Sequence, residues 1–367
     1  MTGERLHQLR NKDYHREMAM FSDVVRQFSD SDIPAPDILD PGSVPSLRWG
    51  ILGAGDIADV FIDTLKKHTQ QRVVAIASKT PGKAAALAQK YGVAQTFDSY
   101  EALCDQKDID VIYIATLPHT HLADSLIAIN SGKHVLIEKP STIRAADAKA
   151  LYEAAAKAGV FAMEAMWSRY LPQASVIRKI LSQGLLGDIS LIQVDFGQDN
   201  RAIARLWLPE ASIMQDMGIY PIAFTEQILG LPKKITATGQ LHNPRSEAMA
   251  SAVFEYESGA RAVVTASGYS HIPTRASVSG SEGVLEVDPP FFTPSGLTLR
   301  EAVFKGQGPQ WKDHTGVVGH EGLCYQANYL ASYISQGLLE SPIHTHEQTV
   351  AIIEIGEEIR RQIGVQL

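Results

Sequence analysis

The chain has 367 residues, more than one hydrophobic core usually organises, so two domains are expected. Its formal net charge of −8, without any block of lysine or arginine, disfavours nucleic acid or an anionic membrane as a partner. Cys104 and Cys324 are the only cysteines and have neither metal-ligand nor disulfide-framework spacing. We therefore expect no metal site and a reducing, cytoplasmic environment. The sequence also lacks an apolar run of membrane-spanning length and the apolar core of a secretory signal.

Residues 1–45 have the composition of an N-terminal arm. Residues 6–28 are consistent with a polar, weakly amphipathic helix, and residues 31–45 contain four prolines, which favour an extended backbone. Two interpretations stay open. The arm is either a loosely docked extension or a segment that crosses the cofactor or a neighbouring subunit.

Residues 46–165 alternate between predicted strands and predicted helices. Apolar, β-rich runs predict strands at 47–52, 73–78, 111–116 and 134–138. Helical spacing of apolar residues predicts helices at 56–67, 83–91, 122–129 and 145–158. Such alternation is typical of an α/β domain with a doubly wound parallel sheet and helices on both faces.

The pattern changes in residues 166–367. Closely spaced strands are predicted at 189–196, 250–256, 261–267, 275–279 and 284–287. The tripeptide at 257–259 reads as a hairpin connection, and two helices are predicted at 323–336 and 347–361. We therefore predict a second, α+β domain with an open, mainly antiparallel sheet.

A glycine-containing turn joins the first predicted strand to the first predicted helix. Glycine is needed in such a turn where a side chain would block the backbone or collide with a pyrophosphate, and a small residue lets the helix pack on the sheet. The helix N-terminus then offers N–H groups to the phosphates. The predicted cofactor contacts are Gly53, Gly55, Asp56, Ile57 and Ala58. This context predicts a Rossmann dinucleotide-binding domain.

The end of the second strand should contact the adenosine ribose. NAD sites usually place Asp or Glu there, and this segment has neither. Ser78, Lys79 and Lys83 instead offer a hydroxyl and positive charge for a 2′-phosphate. We predict NADP as the cofactor, with NAD as the alternative.

The carboxyl ends of the later strands should complete the site, because ligands of open α/β sheets lie beyond those ends. The predicted contacts near the nicotinamide are Thr116, Leu117, Pro118, His121, Glu138 and Lys139. For His121, helix initiation or packing is an alternative role. Lys139 ends a Glu-Lys-Pro sequence, and the following proline restricts its backbone direction.

Asp216 and Tyr220 are four residues apart, so both face one side if the segment is helical. Pro221 would then belong to the first helical turn. A nearby ammonium favours a phenolate, so Lys139 is expected to lower the pKa of Tyr220 from about 10 and make it a proton-transfer group. Asp216 would orient the lysine or itself accept a proton. An N-cap aspartate and a core tyrosine are the alternative.

Several motifs together resemble the Gfo/Idh/MocA oxidoreductases, over residues 47–365. They are WGILGAGDIA at 49–58, GKHVLIEKP at 132–140, MEAMWSRYLP at 163–172, DMGIYP at 216–221 and VSGSEG at 278–283. Within that family the chain is most similar to the branch of dimeric dihydrodiol dehydrogenases and D-xylose dehydrogenases.

The resemblance implies nicotinamide-dependent oxidation of a carbinol on a sugar, polyol or cyclic diol. It also implies that residues 166–367 bind the substrate and mediate oligomerisation, as a homodimer or higher oligomer. It assigns catalysis to Lys139, Tyr220 and Asp216, and substrate contacts to Trp167, Arg169 and Arg205. A core position for Trp167 and a surface ion pair for either arginine are the alternatives. In one respect the chain differs: residues 209–216 lack the two glycines that often precede the acid. Glycine lets the backbone approach a ligand, so the pocket floor is expected to differ.

Two alternatives to a freely exchanging NADP-dependent dehydrogenase stay open. One is a glucose–fructose-type oxidoreductase that holds its cofactor tightly. The other is a non-catalytic NADP-sensing regulatory protein, because Rossmann scaffolds host many functions.

Overall fold

The structure is a computed structural model that describes residues 25–208, 211–304 and 306–366. Residues 6–24 of the predicted N-terminal helix lie outside this part of the chain. Residues 25–28 are not helical.

The first sheet has six strands, all parallel, in the order β3-β2-β1-β4-β5-β6. These strands are β1 Arg48–Leu52, β2 Arg72–Ala77, β3 Gln95–Phe97, β4 Val111–Ile114, β5 His134–Ile137 and β6 Ala162–Glu164. The helices between them are α1 Asp56–His68, α2 Lys83–Tyr91, α3 Tyr100–Cys104, α4 His121–Asn130 and α5 Ala145–Ala158. The predicted doubly wound parallel sheet is therefore confirmed.

The second sheet has eight strands in the order β14-β13-β12-β11-β7-β10-β9-β8. Only the pair β7 and β10 is parallel among the described pairs, so the sheet is mainly antiparallel, as predicted. Its strands are β7 Ile189–Gly197, β8 Lys234–Asn243, β9 Ser246–Glu255, β10 Arg261–Ser267, β11 Ala276–Gly280, β12 Gly283–Val287, β13 Gly296–Glu301 and β14 Gln310–Lys312. The remaining helices are α6 Pro172–Ser182, α7 Ile213–Asp216, α8 Ile219–Leu229, α9 Leu323–Ser335 and α10 His346–Gln362.

The last two helices pack back against the first domain. The ring of His346, at the start of α10, stacks on Tyr152 of α5 with centroids 4.0 Å apart. Tyr333 of α9 lies 6.3 Å from the ring of Phe161. These apolar contacts fasten the two domains together. In the described part of the chain, no helix is both long enough and apolar enough to cross a membrane.

The described part of the arm lies on helices α6 and α9 of the second domain. Asp37 receives a hydrogen bond from Lys179 at 2.5 Å, and its backbone N–H donates to the Ser175 hydroxyl at 2.8 Å. The hydroxyl of Tyr329 donates to the Asp37 carbonyl at 3.3 Å. The arm around Asp37 therefore docks on the second domain of its own chain.

Candidate active site

The turn after β1 has the geometry of a dinucleotide cradle. Gly53 adopts φ +98°, and a Cβ added there would lie 2.5 Å from the carbonyl oxygen of Ala115, so no other residue fits. Gly55 differs, because a Cβ added there would meet nothing within 4 Å. Protein packing does not require glycine at position 55. The glycine instead keeps the space above the helix open to a ligand.

Helix α1 points its N-terminus into this space. Its first intrahelical hydrogen bond runs from the N–H of Asp59 to the Gly55 carbonyl at 3.1 Å. The N–H groups of Asp56, Ile57 and Ala58 precede that bond and have no acceptor within the helix. Ala58 itself is buried against the sheet. Free N–H groups at the positive end of a helix dipole fit the pyrophosphate of a dinucleotide.

The segment after β2 brings basic side chains to the same edge. Lys79 is 62 % exposed, and its ammonium lies 3.3 Å from Asp124 and 4.3 Å from the ring centre of Tyr100. Ser78 is buried and its hydroxyl accepts a hydrogen bond from a backbone N–H two residues on, whereas Lys83 is exposed at the start of α2. Asp124 was not predicted from the sequence, because it comes from α4 and reaches Lys79 only in the folded chain.

The loop after β4 includes Thr116, Leu117 and Pro118. Leu117 is 53 % exposed, and the Thr116 hydroxyl accepts a hydrogen bond from another threonine hydroxyl at 3.0 Å. His121 is fully buried, and its ring nitrogens face the carbonyls of Pro140 at 2.9 Å and Thr116 at 3.3 Å. Burial lowers the pKa of His121. Its ring therefore links the loop after β4 to the loop after β5 below the carboxyl edge of the sheet. The side chain was predicted to contact the cofactor, but it is buried and does not reach the surface.

Glu138 is also turned inward. Its carboxylate accepts hydrogen bonds from the Tyr113 hydroxyl and, at 3.2 Å, from the backbone N–H of Lys139. Burial raises the pKa of Glu138. The side chain that was predicted to contact the cofactor thus braces the end of β5, which carries the lysine.

Lys139 and Asp216 form the ionic centre of the site. The lysine ammonium donates to both the carboxylate and the backbone carbonyl of Asp216, each at 2.8 Å. Burial disfavours both charges, but their mutual attraction outweighs it, so the pKa of Lys139 is raised and that of Asp216 is lowered. The pair is therefore charged at neutral pH.

Tyr220 lies against this pair, at the start of α8. The ammonium of Lys139 sits 5.1 Å from the centre of its ring, and the Trp167 indole N–H donates to its hydroxyl oxygen at 2.8 Å. Pro221 follows within the first helical turn, as predicted, but Asp216 belongs to the separate short helix α7. The two side chains are brought together by a turn between helices and not by one helical face.

The predicted lowering of the Tyr220 pKa is wrong for this state of the protein. Burial raises that pKa to about 12, although Lys139 and the Trp167 hydrogen bond both act to lower it. The neutral phenol is therefore the resting form. Among the described residues nothing accepts its hydroxyl hydrogen, so that hydrogen is available to a substrate oxygen.

Aromatic rings pack against Tyr220 and Trp167. Phe292 stacks on Tyr220 with centroids 4.6 Å apart and on Phe196 at 4.5 Å. Trp167 meets Phe292 edge-on at 6.0 Å and stacks on the imidazole of His320 at 5.5 Å. Trp167 was predicted from the sequence, whereas Phe196, Phe292 and His320 were not. For Phe292 the only local signal was the pair of phenylalanines at 291 and 292, which follows two prolines.

The two arginines predicted to contact substrate differ in placement. Arg169 is 2 % exposed, and its guanidinium bonds Glu226 at 2.5 Å and the Ala223 carbonyl at 2.8 Å. Its Nη2 is therefore held in a buried ion pair with α8, whereas its Nε and Nη1 have no hydrogen-bond partner among the described residues. Arg205 is exposed, and its charge helps to lower the pKa of Asp216, which puts it within electrostatic reach of the site.

Comparison with protein families agrees with this geometry. Residues 47–166 match the model described as "Oxidoreductase family, NAD-binding Rossmann fold", and residues 175–286 match the "GFO/IDH/MocA C-terminal domain". The chain belongs to the Gfo/Idh/MocA oxidoreductase family. Trans-1,2-dihydrobenzene-1,2-diol dehydrogenase from Mus musculus is 33% identical over 326 residues, covering 87% of this chain and 98% of the relative.

Solved structures share the fold of this Gfo/Idh/MocA protein. Levoglucosan dehydrogenase in complex with NADH and levoglucosan gives a TM-score of 0.77 at 18% identity, covering 87% of this chain and 97% of the other. Aldose-aldose oxidoreductase from Caulobacter crescentus, complexed with glycerol, gives 0.75 at 24% identity, with coverages of 87% and 98%. The protein is an NAD(P)-dependent dehydrogenase or reductase that acts on CH–OH groups.

Residues 211–216, the described part of the segment in which two glycines were expected from the resemblance, are held by side chains. Ser212 caps α7 by accepting a hydrogen bond from the N–H of Gln215 at 3.0 Å, and it donates to Glu247 at 2.5 Å. Glu247 is fully buried, also accepts from the N–H of Met214, and pairs with Arg360 of α10 at 3.0 Å. The helix that ends at Asp216 is thus anchored by a buried ion pair.

Proposed function

We propose that the protein is an NADP(H)-dependent oxidoreductase that transfers hydride between nicotinamide and the carbinol or carbonyl carbon of a cyclic diol, sugar or polyol. One observation carries the proposal. The Tyr220 hydroxyl lies at the ligand-binding edge of the parallel sheet with its oxygen bonded by Trp167 and its ring covered by the Lys139 ammonium. This arrangement supports a proton-transfer group.

The protein groups have complementary tasks in this reaction. Bound nicotinamide supplies or accepts the hydride. In the reductive direction neutral Tyr220 donates its proton to the carbonyl oxygen, and in the oxidative direction the phenolate takes the proton back. Lys139 and the Trp167 N–H stabilise the phenolate, and Asp216 holds the lysine in place. The aromatic rings packed around Tyr220 and Trp167 favour a ring-shaped substrate that offers an apolar face.

A substrate screen tests the function directly. Purified protein is incubated with NADP and with NAD, against cyclic diols, aldoses and linear polyols, while the absorbance of the reduced cofactor is followed. We expect turnover with NADP and at least one cyclic or sugar carbinol. Reduced-cofactor fluorescence in the protein before any addition would instead favour the tightly held cofactor. Tight NADPH binding without turnover of any carbinol or carbonyl would overturn the enzymatic proposal.

The preference for NADP rests on Lys79, whose exposed ammonium lies beside the end of β2 where no acid follows. We expect Lys79→Ala to weaken NADPH binding about tenfold to hundredfold, because a charge-assisted contact to the 2′-phosphate contributes about 1.5–3 kcal/mol. NADH binding should stay unchanged. Titration of cofactor fluorescence measures both affinities.

Lys107→Ala is the matched control, because Lys107 is exposed but precedes β4 and therefore lies at the opposite edge of the sheet. Neither affinity should change in that variant. Equal weakening of NADPH and NADH by Lys79→Ala would show that Lys79 acts only by holding Asp124.

A further inference from the structure

The turn that carries His320 is fixed from two sides. Its next residue, Glu321, pairs with Lys67 at 3.2 Å and with His68 at 3.2 Å, and both belong to the last turn of α1. One residue further, Gly322 is pressed against Trp167, where an added Cβ would lie 2.9 Å from the indole. The position of His320 is therefore set by both domains.

The imidazole of His320 lies beside Trp167, and its nitrogens are not used in hydrogen bonds with the described part of the protein. It stacks on Trp167 at an interplanar angle of 29°, while the residue stays exposed. Neither ring nitrogen has a hydrogen-bond partner among the described residues, in contrast to His121 and His344, whose rings bond protein oxygens. A stacked ring with two free nitrogens has its orientation set but its hydrogen-bonding capacity unused.

The free ring nitrogens of His320 are placed where they could bond a second hydroxyl of the substrate. The same indole that supports His320 donates to the Tyr220 hydroxyl, so the imidazole and the phenol flank one aromatic surface. A carbinol oxygen bonded to Tyr220 and a neighbouring hydroxyl bonded to His320 would each need a contact of about 2.8 Å. Partial burial, together with the charge of Lys139, lowers the pKa of His320, and a neutral imidazole can both donate and accept.

We propose that His320 binds the hydroxyl next to the carbinol that reacts, so that the site selects vicinal diols over simple secondary alcohols. This inference rests on the proposed function and names the specificity of the same site. A site built to bond a substrate hydroxyl discriminates strongly against an analogue that lacks it, since its polar group is then left unpaired.

The test compares trans-cyclohexane-1,2-diol with cyclohexanol, both with NADP, in the parent protein and in His320→Phe. Phenylalanine keeps the stack on Trp167 and removes both nitrogens. We expect kcat/KM for the diol to fall about tenfold to hundredfold, mainly through KM, because the bond is made equally in ground and transition states. The value for cyclohexanol should change by less than about twofold. His320→Asn, which keeps a polar group, should recover part of the diol preference.

His314→Phe provides the matched control, because His314 is an exposed histidine outside the Trp167 stack, and it should alter neither alcohol. An equal effect of His320→Phe on both alcohols would overturn the proposal, since the ring would then act only through packing. The two hypotheses fail differently: absence of turnover in the parent protein counts against the proposed function, whereas an unchanged diol preference in His320→Phe counts against the role of His320.

Discussion

Replacing Tyr220 by phenylalanine should lower kcat by about 10²- to 10⁴-fold, the range that a positioned acid–base group contributes. The ring and its stack on Phe292 are kept, and only the proton-transfer group is lost. NADPH affinity, measured by fluorescence titration, should stay within about twofold. The dinucleotide cradle is the turn after β1, whereas Tyr220 lies against Lys139, which follows β5.

The control for this variant is Tyr329→Phe, which removes a hydroxyl bonded to the arm carbonyl of Asp37 and should leave kcat unaltered. The Trp167 N–H loses its acceptor in Tyr220→Phe, so a loss of about 1–3 kcal/mol in unfolding free energy is expected as well. Undiminished kcat in a folded Tyr220→Phe protein would exclude Tyr220 as the proton-transfer group.

Single and double variants of the Lys139–Asp216 pair should differ in stability but share a loss of activity. Lys139→Met and Asp216→Asn are each expected to lower the unfolding free energy at pH 7 by about 1–3 kcal/mol. This is less than for a fully buried pair, because the Asp216 side chain is 36 % exposed. The double variant should regain most of that stability, since no unpaired charge remains. All three proteins should lose activity, as denaturant titrations and rate measurements would show.

The pH dependence of this stability follows from the two pKa shifts. The lowered pKa of Asp216 stabilises the fold above its unfolded value of about 4, and this contribution is lost as the pH falls through the folded value. The raised pKa of Lys139 stabilises the fold below about 10.4, and this contribution is lost as the pH rises through the folded value. The pair therefore contributes in full between about pH 4 and 10, and the parent–variant difference should shrink toward pH 3.

The exposed pair Lys90–Asp59, with side chains 56 % and 38 % exposed, is the matched control. Lys90→Met should cost at most about 1 kcal/mol and leave turnover intact. Full activity in Lys139→Met would remove the lysine from the mechanism.

The sequence predicted the framework of the site well because that framework is local. Gly53 and Gly55 form a turn within one βαβ unit, and Lys139 directly follows a strand whose periodicity is clear. Parallel strands place their carboxyl ends at a common edge, so the position of the lysine could be deduced without any tertiary information.

The parts that could not be predicted depend on contacts between distant segments. Lys139 and Asp216 are 77 residues apart, and the partner of Arg169 was identifiable only after α8 had been placed beside it. The sign of the Tyr220 pKa shift is a similar case. The attraction of Lys139 is visible from residue types, but the larger effect of burial depends on Phe196 and Phe292, which arrive from other elements.

The buried pair Glu247–Arg360, which anchors the helix that ends at Asp216, can form only late in the synthesis of the chain. Every strand of the parallel sheet ends by Glu164, so the cofactor cradle can form early in synthesis. Glu247 receives its counter-charge from Arg360, 113 residues later. At 5–20 residues per second this corresponds to a delay of roughly 5 to 25 s. During that interval a nascent chain has a cofactor-binding domain but lacks the ion pair that anchors α7 and its last residue, Asp216.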